Sequence, residues 1–194
     1  MDLETPSGVA RAHLHEVAEP RGALILGHGA GGGVESADLA GATQAALSAG
    51  LAVVLVEQPY RVAGRRSPAP ANQLDAAWVS VVEQLDLDVP LIVGGRSAGA
   101  RVACRTAGET GAVGVLCLAF PLHPPGKPEK SRLAELDAVT VPTLVVQGER
   151  DPFGRPPEAP NRRVVLVPGT HSLRSSATVA AAVTEWLAAA AKTP

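Results

Sequence analysis

Leu91-Ile92-Val93-Gly94-Gly95-Arg96-Ser97-Ala98-Gly99-Ala100-Arg101-Val102-Ala103 sets the terms for the whole chain. Leu91 to Val93 is an apolar run without a polar break, the pattern of a strand buried on both faces. It runs into Gly95-Arg96-Ser97-Ala98-Gly99, a G-x-S-x-G pattern, and then into Ala-rich helical sequence as far as about Ala107. Strand, tight turn and helix in that order make the pattern a nucleophile elbow, with the serine in a strained backbone conformation at the strand's carboxyl end. The flanking glycines remove side chains where strand and helix must pack closely. Ser97 is then a candidate nucleophile, and the rest of the chain has to supply a base, an acid and donors for an oxyanion.

Ala23-Leu24-Ile25-Leu26, Leu51-Ala52-Val53-Val54-Leu55-Val56, Ala112 to Phe120, Val141 to Gly148 and Arg163 to Val167 are further apolar runs of strand length. Helical patterns stand between and after them. Residues 38–49 are opened by Ser36 and Asp38 as caps and closed by Gly50. Residues 73–87 carry Leu74, Trp78, Val81, Val82 and Leu85 on one face, and residues 174–191 form a last Ala-rich helix. Strands alternating with helices predict a mostly parallel, doubly wound sheet of the α/β class. Residues 8–17 alternate loosely and predict an edge strand, whose His13 and His15 share a face either as a metal pair or as a solvated edge. The Pro-rich stretch Pro121 to Pro128 lies in a crossover too short to hold a separate cap domain, which leaves the site open to solvent.

Composition narrows the class. At 194 residues with 46% apolar content the chain reads as one domain over 1–194 and not as a disordered segment. A formal charge of −2 gives no footprint for nucleic acid or an anionic membrane surface, and no apolar run approaches a membrane span. Cys104 and Cys117 both fall in apolar elements and read as buried free thiols. The opening Met1-Asp2-Leu3-Glu4-Thr5 is acidic and polar, unlike a secretory leader, so the expected location is the cytoplasm.

The strand Ala23–Leu26 empties into Gly27-His28-Gly29-Ala30-Gly31-Gly32-Gly33. A glycine-rich loop there can cradle a phosphate, as a dinucleotide fingerprint does, but no helix follows it directly. A loop that presents backbone N–H groups to an oxyanion fits the serine better, with Ala30 (or Gly29 beside it) and Ala98 as donors. Asp151 follows the strand that ends at Gly148, and His171 follows the last strand, giving the chain order Ser97, Asp151, His171. In these roles His171 takes and returns the serine proton while Asp151 fixes its tautomer. Glu149 competes for the acid role and His123 for the base. After Val56 comes Glu57-Gln58-Pro59-Tyr60-Arg61-Val62-Ala63-Gly64-Arg65-Arg66, with three arginines at a strand's carboxyl end. Two readings stand for it: recognition of an anionic substrate group by Arg61, or a solvated loop with local salt bridges. Arg96 likewise is either a substrate contact or an ion pair across the elbow.

Five stretches together carry a family resemblance: Gly27-His28-Gly29-Ala30-Gly31, Glu57 to Gly64, Gly94-Gly95-Arg96-Ser97-Ala98-Gly99, Phe120-Pro121-Leu122-His123-Pro124-Pro125-Gly126-Lys127-Pro128, and Gln147-Gly148-Glu149-Arg150-Asp151-Pro152-Phe153-Gly154. The whole chain resembles the small α/β-hydrolase-like family of the testis-expressed and non-specific-lethal-complex homologues, whose bacterial members are labelled dienelactone-hydrolase-like or predicted hydrolases. The resemblance implies an α/β-hydrolase fold without a large cap, a triad of Ser97, Asp151 and His171, and an acyl-enzyme serine hydrolase acting on a small-molecule ester or acyl substrate without cofactor or metal. It also leaves open a hydrolase-fold binding or scaffold protein with an idle triad, since one homologue sits in a chromatin complex. The expected state is a monomer or a homodimer.

Overall fold

The computed structural model describes residues 1–190. Its strands are β1 (Asp2–Thr5), β2 (Gly8–His15), β3 (Ala23–Gly27), β4 (Ala52–Glu57), β5 (Leu91–Arg96), β6 (Gly114–Leu118), β7 (Thr143–Gly148) and β8 (Arg162–Val167). Its helices are α1 (Ala37–Ser48), α2 (Pro59–Val62), α3 (Ala71–Leu85), α4 (Ala98–Thr106), α5 (Leu133–Asp137) and α6 (Ser176–Ala190). All eight strands form one sheet in the order β1-β2-β4-β3-β5-β6-β7-β8, with β3 through β8 parallel and β2 pairing antiparallel with both β1 and β4. This is the α/β-hydrolase fold, a mostly parallel sheet flanked by helices. Among the described residues, no segment between strands is large enough for a cap.

The parallel strands are apolar throughout because both faces are covered. Successive side chains of β3 go to opposite sides: Ile25 joins Val54, Val93 and Val115 against Trp78 of α3 and Val102 and Ala103 of α4. Leu24 and Leu26 join Leu116 and Leu144 against Leu39 of α1 and Val179, Val183 and Trp186 of α6. Ala, Val and Leu fill both layers, as the scarcity of aromatics requires. Gly41 marks the tightest point of the second layer: a Cβ there would overlap the backbone of Ser176, so α1 and α6 meet backbone to backbone.

Some boundaries differ from the sequence expectation, each for a local reason. β2 is not an edge strand; β1 pairs outside it from Asp2↔Arg11 to Thr5↔Gly8 and takes the edge. Four mostly polar residues carry no readable periodicity, and the hairpin is fastened by Arg11 Nε and Nη2 donating to the two Asp2 carboxylate oxygens at 2.7 and 3.1 Å. His13 turns to Glu57 of β4, Nε2 to Oε2 3.1 Å. The fifth expected strand stops at Leu118, because Ala119 takes a left-handed φ of 51°. Helix α1 is flanked by Ser36, which makes no side-chain capping bond, while Asp38 turns inward. Position 191 of the expected last helix lies outside the described residues.

Candidate active site

At the carboxyl end of β5 the chain turns through Ser97, whose φ of 52° and ψ of −107° put a side-chain-bearing residue in a region costing of order 1–3 kcal/mol. The turn is this sharp because helix α4 must start immediately at Ala98, over the neighbouring β3. A Cβ on Gly95 would stand 2.5 Å from the Gly27 carbonyl oxygen, and one on Gly99 would overlap the same carbonyl. The two glycines of the G-x-S-x-G pattern are therefore sterically required. The Ser97 N–H donates to the Leu118 carbonyl at 2.9 Å, pinning the turn to β6.

Three loops from the same sheet edge then converge. Asp151 follows β7 and is 7% exposed; His171 follows β8. A carboxylate only accepts, so His171 Nδ1–H donates to Asp151 Oδ2, at 2.8 Å. That leaves Nε2 of the neutral ring without a proton, and Ser97 Oγ–H donates to it at 2.9 Å. The ring of Phe153 lies against the imidazole with centroids 4.1 Å apart, restricting its rotation.

The loop after β3 occupies the other side. A Cβ on Gly29 would stand 3.6 Å from Ser97 Cβ, so the loop touches Ser97. His28 is 3% exposed and fully used: the Gln58 N–H donates to its Nε2 at 3.0 Å, and its Nδ1–H donates to the Gly29 carbonyl at 2.8 Å. Burial holds this imidazole below the ordinary histidine value of 6.5, with the charge of Arg61 pushing the same way against the Gly29 hydrogen bond. His28 is thus a neutral structural group. Tyr60 Oη donates to the Ala30 carbonyl at 2.9 Å. Fixing these two carbonyls fixes the peptide planes on either side of Ala30, because carbonyl and N–H of one trans peptide point in opposite directions. Among the described residues, neither the Ala30 nor the Ala98 N–H has an acceptor; the latter is the free first donor of α4.

The competing candidates fall elsewhere. Glu149 points to solvent. His123 caps its own loop, Nδ1 to the Pro124 carbonyl at 2.9 Å, and packs on Gly154. Arg96 donates from Nε to Asp38 Oδ2 at 2.8 Å and from Nη2 to the His171 carbonyl at 3.3 Å, tying elbow, α1 and the histidine loop together. Arg61 sits in α2, where its Nη1 reaches only the Arg65 carbonyl at 3.5 Å. Among the described residues, no three metal-ligating side chains stand together.

One residue of the site goes unnoticed in the sequence. Gln147, the last side chain of β7, is fully buried, and its Nε2 shares its two hydrogens among Asp151 Oδ2 at 2.8 Å, the Gly154 carbonyl at 2.8 Å and the Phe120 carbonyl at 3.1 Å. Together with the Phe153 N–H on Oδ1 at 2.8 Å it holds the carboxylate in place. The available signal was a lone polar residue in an otherwise apolar strand, four positions before the acid.

No curated protein matches the chain in sequence. Among solved structures, Est1E from Butyrivibrio proteoclasticus, determined with ferulic acid bound, superposes with a TM-score of 0.81 at 18% identity, covering 100% of both chains. XC6422 from Xanthomonas campestris, described as an a/b serine hydrolase without lid, gives 0.80 at 20% identity over 100% of this chain and 95% of that one. Dienelactone hydrolase from Anabaena variabilis gives 0.74 at 18% identity over 97% and 95%. At such identities the likeness is one of fold. The alpha/beta hydrolase domain family matches residues 20–192, from the turn before β3 to beyond the described end of α6, and the chain belongs to that family.

Proposed function

We propose that this family member is a serine hydrolase that cleaves an ester or related acyl bond through an acyl-enzyme at Ser97. Ser97 Oγ attacks the acyl carbon as its proton passes to His171 Nε2. The carbonyl oxygen becomes an oxyanion that accepts from the N–H groups of Ala30 and Ala98. Collapse breaks the bond to the leaving alcohol, which takes the proton back from His171. Water, deprotonated by the same nitrogen, then attacks the acyl carbon, and collapse breaks the bond to Ser97 Oγ, which takes the proton back from His171 as the acid leaves. Asp151 keeps Nδ1 protonated and stabilises the imidazolium that forms at each transfer. These groups account for every proton and electron pair without a metal or cofactor.

The observation that carries this reading is the unbroken relay from Ser97 Oγ through His171 to Asp151, with links of 2.9 and 2.8 Å. The short crossovers support an open site that admits a small-molecule ester directly. Two unbridged, buried cysteines with sulfurs 3.5 Å apart support operation in a reducing compartment such as the cytoplasm. Arg61 is retained as a substrate contact, whereas the pairing of Arg96 with Asp38 favours a positioning role.

Reaction with a fluorophosphonate probe is the test. Labelling of the folded protein that disappears in Ser97→Ala is the expected result. Absence of labelling in protein of native circular dichroism would sink the enzyme reading and favour a hydrolase-fold binding module.

A further inference from the structure

The loops at the carboxyl ends of the strands differ in charge from the rest of the molecule. Between the ends of β3 to β8 and the elements that follow, counting α2 and the residues up to α3 with the loop after β4, the connections hold nine Lys or Arg and five Asp or Glu. The chain as a whole carries a formal −2. The reacting edge is thus a cationic rim on an acidic protein, an arrangement that draws anions to that edge.

Within the rim the arginines are not equivalent. Arg96 is neutralised by Asp38, a carboxylate only 1% exposed. Arg61 has no such partner: among the described residues no carboxylate lies within 4.0 Å of it, nor of Arg65 or Arg66 beside it. The loop's one acid, Glu57, is taken by His13 at 3.1 Å. Local salt bridges therefore do not account for the cluster. Arg61 Nε is moreover buried without any hydrogen-bond partner, an arrangement that costs free energy unless a ligand satisfies the guanidinium.

Its place fits a role in the reaction. Arg61 follows Tyr60, which holds the Ala30 carbonyl of the loop touching Ser97. β4 and β5 flank β3, so α2 begins two strand spacings, about 10 Å, from the nucleophile. An extended arginine and a short acyl or alcohol chain together cover that separation. A single guanidinium matches a carboxylate in charge and planarity.

Resting on the serine hydrolase reading above, we infer that the substrates carry a carboxylate a few bonds from the scissile carbonyl, and that Arg61 receives it. Arg65 and Arg66, exposed on the same loop, add long-range attraction and no contact.

The test pairs p-nitrophenyl half-esters of succinic, glutaric and adipic acid with uncharged p-nitrophenyl alkanoates of the same chain length. The expected result is a preference in kcat/KM of about tenfold or more for the best half-ester, the worth of one charge-assisted hydrogen bond. Arg61→Gln brings that ratio to about one, and Arg61→Lys, which keeps the charge and loses the fork, retains part of it. The ratio in the unmutated protein is decisive even where a variant does not fold. A ratio at or below one for every chain length, in protein whose Ser97 still reacts with a fluorophosphonate, overturns this inference alone. Loss of that reaction as well overturns the hydrolase reading beneath it.

Discussion

Asp151 and the loop from His28 to Gly33 stand on either side of Ser97 and are fixed by different means. On the Asp151 side a charged group is surrounded by donors: Gln147 Nε2, the Phe153 N–H and the ring of His171. On the oxyanion side no charge is present in the resting protein, and neutral side chains hold carbonyls: His28 on Gly29 and Tyr60 on Ala30. In the proposed mechanism one side holds a carboxylate of the resting protein, and the other aims dipoles at a charge that exists only during the reaction. Damage to the first should disturb the resting site, whereas damage to the second should be felt almost wholly in the transition state.

Four substitutions put that contrast to the test. Asp151→Asn puts a donor where only an acceptor serves, favours the wrong imidazole tautomer, and is expected to lower kcat by about 10⁴-fold. Gln147→Leu leaves Asp151 charged but less firmly held; kcat should fall by about 10²-fold with KM little altered, and Gln147→Glu, which sets two carboxylates face to face, should fall further. Tyr60→Phe removes only the hydroxyl on Ala30. Its kcat should drop by about tenfold while stability changes by about 1 kcal/mol, and equal rates in the two proteins would show that the loop needs no such support.

The smallest effect is one of pH. The folded protein keeps His28 neutral below the ordinary value of 6.5, whereas the unfolded chain binds a proton as pH falls through it. The unfolded state therefore holds more protons in that window, and stability declines as pH drops below about 6.5. In melting curves from pH 7.5 to 5.5 the parent should lose more Tm than His28→Asn, and parallel curves would remove His28 as the cause.

The six parallel strands were legible because a strand covered on both faces must be apolar throughout, and Leu24 to Leu26 or Val53 to Val56 have no other use. The order Ser97, Asp151, His171 was legible because each follows such a run. β1 was not, since an exposed four-residue edge obeys no burial pattern. Gln147 was missed because a lone buried amide is meaningful only once its acceptors are known, and these come from two separate loops. Arg61 and Arg96 looked alike in sequence. Only the packing of α1 against β5, which buries Asp38 beside one of them, tells them apart.

Gly41 lies on α1, in the helix layer and not in the candidate site, yet it bears on His171. The backbone contact it permits sets where Ser176 stands, and Ser176 opens α6 directly after the His171 loop. The same α1 carries Asp38, and through Arg96 reaches the His171 carbonyl. One absent methyl group therefore acts as a shim for His171. Gly41→Ala is expected to displace α6 and loosen the Ser97–His171 link, so that a change in a helix-packing layer is read out as slower fluorophosphonate labelling.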